Sequence, residues 1–144
     1  MDDLKARVII DKPDIIAITE SWANNNVLDS ELYLENYSMI RKDRATGKRG
    51  GGIILYIRSE IQFVQMNSHF ELESLWCTIG NKEKCKIGLY YRPPNASVES
   101  TKNMCDEISS KSYGNCIILG DFNFPDIDWN TFSASTDSAV FPDN

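Results

Sequence analysis

Apolar residues in this chain gather in short runs rich in β-branched side chains. Ile15 to Ile18 (IIAI), Ile53 to Ile57 (IILYI) and Cys116 to Leu119 (CIIL) are continuous apolar runs of strand length, which predicts strands buried on both faces. Leu72 to Ile79 and Cys85 to Tyr91 flank the polar turn Gly80 to Lys84 and predict a hairpin. In the second of these strands Ile87, Leu89 and Tyr91 share one face. Shorter strands are expected around Tyr37 to Arg41 and Gln62 to Met66. Two segments carry helical spacing. Asp2 or Asp3 can cap a short helix with Leu4 and Val8 on one face, ended by Pro13. A second helix is expected over Val98 to Ser110, with Val98, Thr101, Cys105 and Ile108 on its buried face and Glu99 in its first turn. Trp22 to Asn36, with Asn24-Asn25-Asn26, reads mostly as loop. Gly47 and Gly50 to Gly52 mark a turn into Ile53, and Arg92-Pro93-Pro94-Asn95 ends the strand before it. Strands dominate with a few helices, so the pattern describes a layered α/β or α+β domain.

The chain has 144 residues, which suits one domain. That domain is placed over residues 1–130, and the Ser-, Thr-, Asp- and Asn-rich stretch 131–144 is expected to be a loop or disordered tail. No apolar run approaches the roughly 18 residues of a membrane span. The opening MDDLKARVII lacks the basic flank and long apolar core of a secretory signal. A cytoplasmic or nuclear location is therefore expected, not secretion or a membrane. The four cysteines, Cys77, Cys85, Cys105 and Cys116, form no C-x-x-C pair, and the only histidine, His69, is not near them in sequence. That argues against zinc and for free thiols. His69 itself reads as a surface-loop residue.

Net charge is −6, which argues mildly against broad electrostatic affinity for nucleic acid. The basic residues are unevenly spread, however. Arg41, Lys42, Arg44, Lys48 and Arg49 crowd one short stretch, which is either a phosphate-contacting loop or a solvated hairpin turn.

Two apolar strands deliver polar residues at their C-terminal ends. IIAIT leads to Glu20, and CIILG leads to Asp121 followed by Asn123. A buried strand holds such a carboxylate rigidly enough for a metal ion. Glu20 and Asp121 could anchor one Mg²⁺, with water and substrate oxygens completing its shell. Asn123 points to the same side as Asp121 if the extended backbone continues, and its amide could donate to a phosphate oxygen or a water. Gly120 before Asp121 allows a close turn. A strand-end Glu is also an ordinary exposed residue, and Tyr91 is either a rim tyrosine of the core or a hydroxyl facing the same cleft as the carboxylates.

The ordered set KPDIIAITESW (12–22), GGGIILYIRS (50–59), LWCTI (75–79), LYYRPPN (89–95) and CIILGDFNFPDIDW (116–129) resembles the endonuclease/exonuclease/phosphatase superfamily. Within it the likeness is nearest to the endonuclease domain of non-LTR retrotransposons of the jockey and CR type, with Trp22, the GGG run and YRPPN pointing to that branch. The resemblance implies a four-layer α/β sandwich, two facing sheets with outer helices, and Mg²⁺- or Mn²⁺-dependent phosphodiester hydrolysis with DNA as substrate. By the same resemblance Glu20 is the metal-binding Glu. Asp121 binds metal and orients or activates the nucleophile, Asn123 contacts phosphate, and Tyr91 stabilises the phosphoryl group. Asn95 lies one residue further along its loop than the family pattern has it. Arg41, Arg44, Lys48, Arg49 and Arg92 become candidate DNA contacts. A monomer, within a longer polyprotein carrying a reverse transcriptase, is expected.

Family members also start with an Asn-bearing strand and end with a Ser-Asp-His segment. Neither is matched here: the tail has Asp137-Ser138 but no histidine. This chain alone is accordingly expected to be weakly active or inactive. Alternatives that keep the same motifs are a phosphatase or RNA-trimming relative, or a non-catalytic remnant acting as a binding piece.

Overall fold

The computed structural model describes residues 1–44, 48–128, 130, 131 and 133. The elements in chain order are α1 (Asp2–Asp11), β1 (Ile15–Thr19), β2 (Tyr37–Lys42), β3 (Ile53–Arg58), β4 (Phe63–Met66), β5 (Glu73–Ile79), β6 (Cys85–Tyr91), α2 (Val98–Lys111) and β7 (Cys116–Asp121), with a single 3₁₀ turn at Asp29–Glu31. They form two sheets, one ordered β1-β3-β2 and the other β4-β5-β6-β7. All pairings are antiparallel except β6 with β7. That parallel pair needs a crossover, and α2 supplies it.

Alternation along the central strands builds the layers. On β3, Ile53, Leu55 and Ile57 face the second sheet, where they meet Leu75 and Cys77 of β5 and Ile87, Leu89 and Tyr91 of β6. The opposite face of β3, Ile54 and Tyr56, packs with Leu4 and Val8 of α1 and Ile16 and Ile18 of β1. On the other sheet, Trp76 and Tyr90 face outward against Met104 and Cys105 of α2. The order of layers is therefore helix, sheet, sheet, helix, the expected four-layer sandwich. Ile53 through Ile57 are at most 2% exposed, because β3 is covered on both faces and paired on both edges.

The two other apolar runs behave differently. In β1, Ala17 is exposed and its neighbours are only half-buried. In β7, Ile117 is 49% exposed. Both strands sit at sheet edges among the described residues, and the expectation of burial on both faces is corrected. The helices shift in detail too. Met1, not Asp2 or Asp3, precedes α1, without a side-chain cap. The two aspartates lie in its first turn, where they favour the helix dipole. In α2, Ser97 is the cap and accepts from the Ser100 N–H at 3.0 Å. Its buried face is Thr101, Met104, Cys105 and Glu107, whereas Val98 is exposed. All four cysteines are free. The expected tail over 131–144 lies outside the described residues except for Thr131 and Ser133, the latter bridged to Asp128. Among the described residues no helix is long and apolar enough to cross a membrane.

Glu107 is a buried carboxylate between α2 and the second sheet. It accepts from the Ser74 hydroxyl at 2.9 Å, the Trp76 indole at 3.2 Å, the Tyr90 hydroxyl at 2.6 Å and the His69 N–H. Burial alone would raise its pKa, but Tyr90, His69 and Ser74 together with the Lys111 charge outweigh that and hold it low. Glu107→Ala strands several buried donors at once, each at a cost of roughly 1–3 kcal/mol. Urea denaturation is expected to show a loss of at least about 2 kcal/mol; a loss near zero would show that the network contributes nothing to stability.

Candidate active site

The site forms where β1, β6 and β7 end and β3 and β5 begin. Thr19 pairs with Ile53 at the last step of the β1–β3 ladder. The chain then turns through Glu20 and Trp22, both left-handed at φ 54° and 57°, while the Ser21 and Trp22 N–H groups still bond the Gly52 and Gly51 carbonyls at 3.1 and 2.9 Å. The turn thus keeps two loops zipped together and lifts the Glu20 side chain out of the ladder.

Three donors fix the Glu20 carboxylate. Oε1 accepts from the Tyr91 hydroxyl, and Oε2 accepts from the Trp22 indole at 2.7 Å and the Gly51 N–H at 3.1 Å. Tyr91 is the last inward-facing residue of β6, so its hydroxyl carries the inter-sheet core across to the end of the opposite sheet. The Tyr91 bond, then Gly51, then Trp22 and Arg44 hold the Glu20 pKa below its usual range against a desolvation that opposes them. Burial and the Glu20 carboxylate push the Tyr91 phenol up to about 12. At neutral pH the pair is therefore a carboxylate and a neutral hydroxyl.

Glu73 and Arg44 support this pair. Glu73 accepts from the Gly52 N–H at 2.6 Å, and from Arg44 Nε and Nη2 at 3.3 and 3.1 Å. The Arg44 guanidinium lies 5.8 Å from the Tyr91 ring centre. Gly51 must be glycine here: its φ is 70°, and a Cβ would stand 2.4 Å from both Arg44 Nη2 and Glu73 Oε1.

Asp121 is the register partner of Tyr91 across the parallel β6–β7 pair, so both side chains leave the sheet on one face. Gly120 does not form the close turn expected of it. It is inside β7, where a Cβ would come 2.1 Å from the Tyr90 carbonyl oxygen. Nor does the extended backbone continue to Asn123, whose φ is 48°. Asp121 Oδ1 accepts the Asn123 N–H at 3.1 Å, an Asx turn, and the Asn123 amide donates to the Arg92 carbonyl at 2.7 Å. A small cavity of about 120 Å³ opens beside Tyr91, lined by Glu73, Arg92 and Asn95 among others. A larger one, about 660 Å³, lies between α1 and the segment around Tyr33 and contains none of these carboxylates.

The sequence matches the Endonuclease/Exonuclease/phosphatase family over residues 1–141. The chain belongs to that family. None of the curated proteins matches it. Among solved structures it is similar to the endonuclease domain of TRAS1, a telomere-specific non-LTR retrotransposon, with TM-score 0.63 and 14% identity over 84% of this chain and 53% of that one. It is also similar to the AP endonuclease LMAP from Leishmania major, with TM-score 0.67 and 16% identity over 92% and 52%. A third is ANGEL2, a 2',3'-cyclic phosphatase, with TM-score 0.58 and 15% identity over 92% and 46%. These likenesses confirm the fold, and the chain spans about half the length of each structure.

Members of this family are hydrolytic nucleases and phosphatases that generally use divalent metal ions. The donors here fit a hard cation. Glu20 is an exposed carboxylate held ionised, and Asp121 is an exposed carboxylate flanking the same tyrosine. No group of three acidic, histidine or cysteine side chains gathers among the described residues, but Mg²⁺ needs only one or two carboxylates and completes its shell with water.

The basic candidates divide. Arg44 stands beside Glu20 and Tyr91, and Arg49 lies over the Trp22 ring at 5.3 Å. Lys48 is exposed. Arg41 is engaged elsewhere, ion-paired with Asp29 and Asp43 at 3.0 and 2.7 Å and donating to the Asn24 and Val27 carbonyls. Arg92 braces the loop after β7 through the Phe122 and Asn123 carbonyls and Thr101. His69 lies in the loop before β5, stacked on Phe70, with its N–H bound to Glu107 and its carbonyl accepting from Lys42 at 2.8 Å. Glu73 went unread in the sequence, yet the hairpin contained its signal. A turn centred near Lys82 sets Glu73 opposite Tyr91.

Glu20 has a lowered pKa, so its contribution to stability is present above the ordinary carboxylate range and is lost as pH falls through the lowered value. Tyr91→Phe removes the donor that makes the largest single contribution to this. A ¹³C NMR titration of the Glu20 carboxyl is expected to show its pKa rising toward the ordinary value; an unchanged titration would show that the hydroxyl does not hold it.

Proposed function

We propose that the chain carries the metal-binding half of a retrotransposon-type DNA endonuclease site for phosphodiester cleavage with Mg²⁺ or Mn²⁺, and that this chain alone is weakly active or inactive. The observation that carries this reading is the convergence of Glu20, Tyr91 and Asp121, brought together from three strands of two sheets. The motif order in the sequence, family membership and the likeness to the TRAS1 domain support it. Glu20 and Asp121 would hold the cation, which when bound polarises the scissile phosphate and offsets charge on the leaving oxygen.

The protein's own groups do the rest. Tyr91, neutral at physiological pH, orients Glu20 and presents a phenol edge to the phosphoryl group. The amide of Asn123 carries two N–H groups; one is bound to the Arg92 carbonyl, and the second is assigned to a phosphate oxygen. Asp121 is assigned the nucleophilic water. Arg44 beside Glu20 and Arg49 over Trp22 bring positive charge that offsets the acidic whole, and the exposed Lys48 is a further candidate DNA contact. The substrate is read as DNA, the chain as a monomer, and its setting as a polyprotein with a reverse transcriptase.

Nicking of supercoiled plasmid with and without Mg²⁺, by the wild type and by Glu20→Gln and Asp121→Asn, tests the assignment. Any Mg²⁺-dependent nicking by the wild type is expected to be slow, and each variant is expected to remove it. Mg²⁺ is also expected to raise the wild-type Tm, and Glu20→Gln to abolish that rise. A wild type that neither nicks nor is stabilised by Mg²⁺, or variants that nick as fast as it does, would overturn the reading.

A further inference from the structure

We propose that Trp22 and Arg49 form a stacking subsite for an unpaired nucleobase next to the metal-binding carboxylate. The proposal deepens the nucleic-acid reading above and rests on it. Exposed aromatic residues scattered on a surface need no explanation, but Trp22 is not merely left at the surface. It is 54% exposed, yet its indole N–H is bound to Glu20 Oε2 at 2.7 Å and its backbone N–H to the Gly51 carbonyl at 2.9 Å. A Cβ at Gly50 would stand 3.8 Å from Trp22 Cε2, at ordinary contact distance, so the glycine loop runs close beside the Trp22 ring. Its φ of 57° is a conformation that bulky residues rarely adopt. Strain of that kind persists where the surroundings over-determine it and clusters at functional sites.

The outcome is a large rigid aromatic surface that is ordered before any ligand arrives, at the rim of the candidate active site. The Arg49 guanidinium lies over the ring, 5.3 Å from its centre; a stacked base would take its place on that face and leave the cation to the nucleotide's phosphate. Its neighbours Arg41 and Arg44 are both committed to carboxylates. Every base has a π face, so such a platform grips nucleotides with little sequence preference. A sugar–phosphate backbone without bases offers it nothing to stack on. The chemistry therefore selects base-bearing strands over simple phosphoesters.

The test is fluorescence anisotropy in EDTA with two labelled probes of equal length, a short oligodeoxythymidylate and the same backbone with base-free tetrahydrofuran units. The wild type is expected to favour the base-bearing probe by roughly tenfold. Trp22→Ala should abolish that preference, so that the ratio of the two affinities falls to about one. Trp22→Phe, which keeps an aromatic face but loses the N–H to Glu20, should retain most of it. Circular dichroism checks that the variants are folded. Equal wild-type binding of both probes, an unchanged preference in Trp22→Ala, or equal loss in Trp22→Phe and Trp22→Ala would overturn the subsite; the last outcome would make Trp22 a positioning residue for Glu20. A wild type that binds neither probe would overturn the nucleic-acid reading itself, and the subsite with it.

Discussion

Ile53, Leu55 and Ile57 meet Leu75, Cys77, Ile87, Leu89 and Tyr91 across the gap between the sheets, and this face-to-face packing positions everything else. Burying apolar side chains from both sheets in one dry layer is the main favourable term available to a chain of this size. It also fixes register, since a one-residue slip would turn every inward side chain outward. The candidate site lies at the end of that layer. Tyr91 is at once the last member of the inter-sheet core and the residue whose hydroxyl reaches Glu20, so the packing that stabilises the sandwich also brings the site together.

The electrostatics of the site run against the sign of the whole chain. A molecule with net charge −6 places Glu20, Glu73 and Asp121 at one end of its sheets, which calls for donors and cations close by. Backbone N–H groups of Gly51 and Gly52, the Tyr91 hydroxyl, the Trp22 indole and Arg44 meet that need. Glycine is required at Gly51 because its backbone, not a side chain, is the donor. The Arg44–Glu73 pair is half-buried, where an ion pair is screened less than on the surface, and it holds the glycine loop against the end of β5. Glu107 shows the same logic elsewhere: a buried carboxylate is tolerated because Ser74, Trp76, Tyr90 and His69 all donate to it.

Most elements were legible in the sequence because their signals are local. The apolar run at Ile53, the polar turn between Ile79 and Cys85, and the Pro-Pro break after Arg92 each depend on a few adjacent residues. The errors have one source, which is that lateral and long-range neighbours are not local. Ile15 to Ile18 and Cys116 to Leu119 look as apolar as β3, yet both strands lie at edges. Asn123 would share a side with Asp121 only on an extended backbone, and the Asp121 carboxylate instead captures its N–H and turns the chain. Arg41 read as a basic-loop residue, and only folding brought Asp29, Asp43 and two carbonyls around it.

The sequence by itself determined the strand-and-helix alphabet, the family, and the residue types at the carboxylate-bearing strand ends, since each rests on short-range pattern and ordered motifs. What only the tertiary structure decided is which of those residues touch. Glu20 and Tyr91 are separated by 71 positions and Arg44 and Glu73 by 29. They become neighbours because two sheets stack with their strand ends aligned. No spacing in the sequence encodes that stacking directly; it follows from burying the inner faces of both sheets at once.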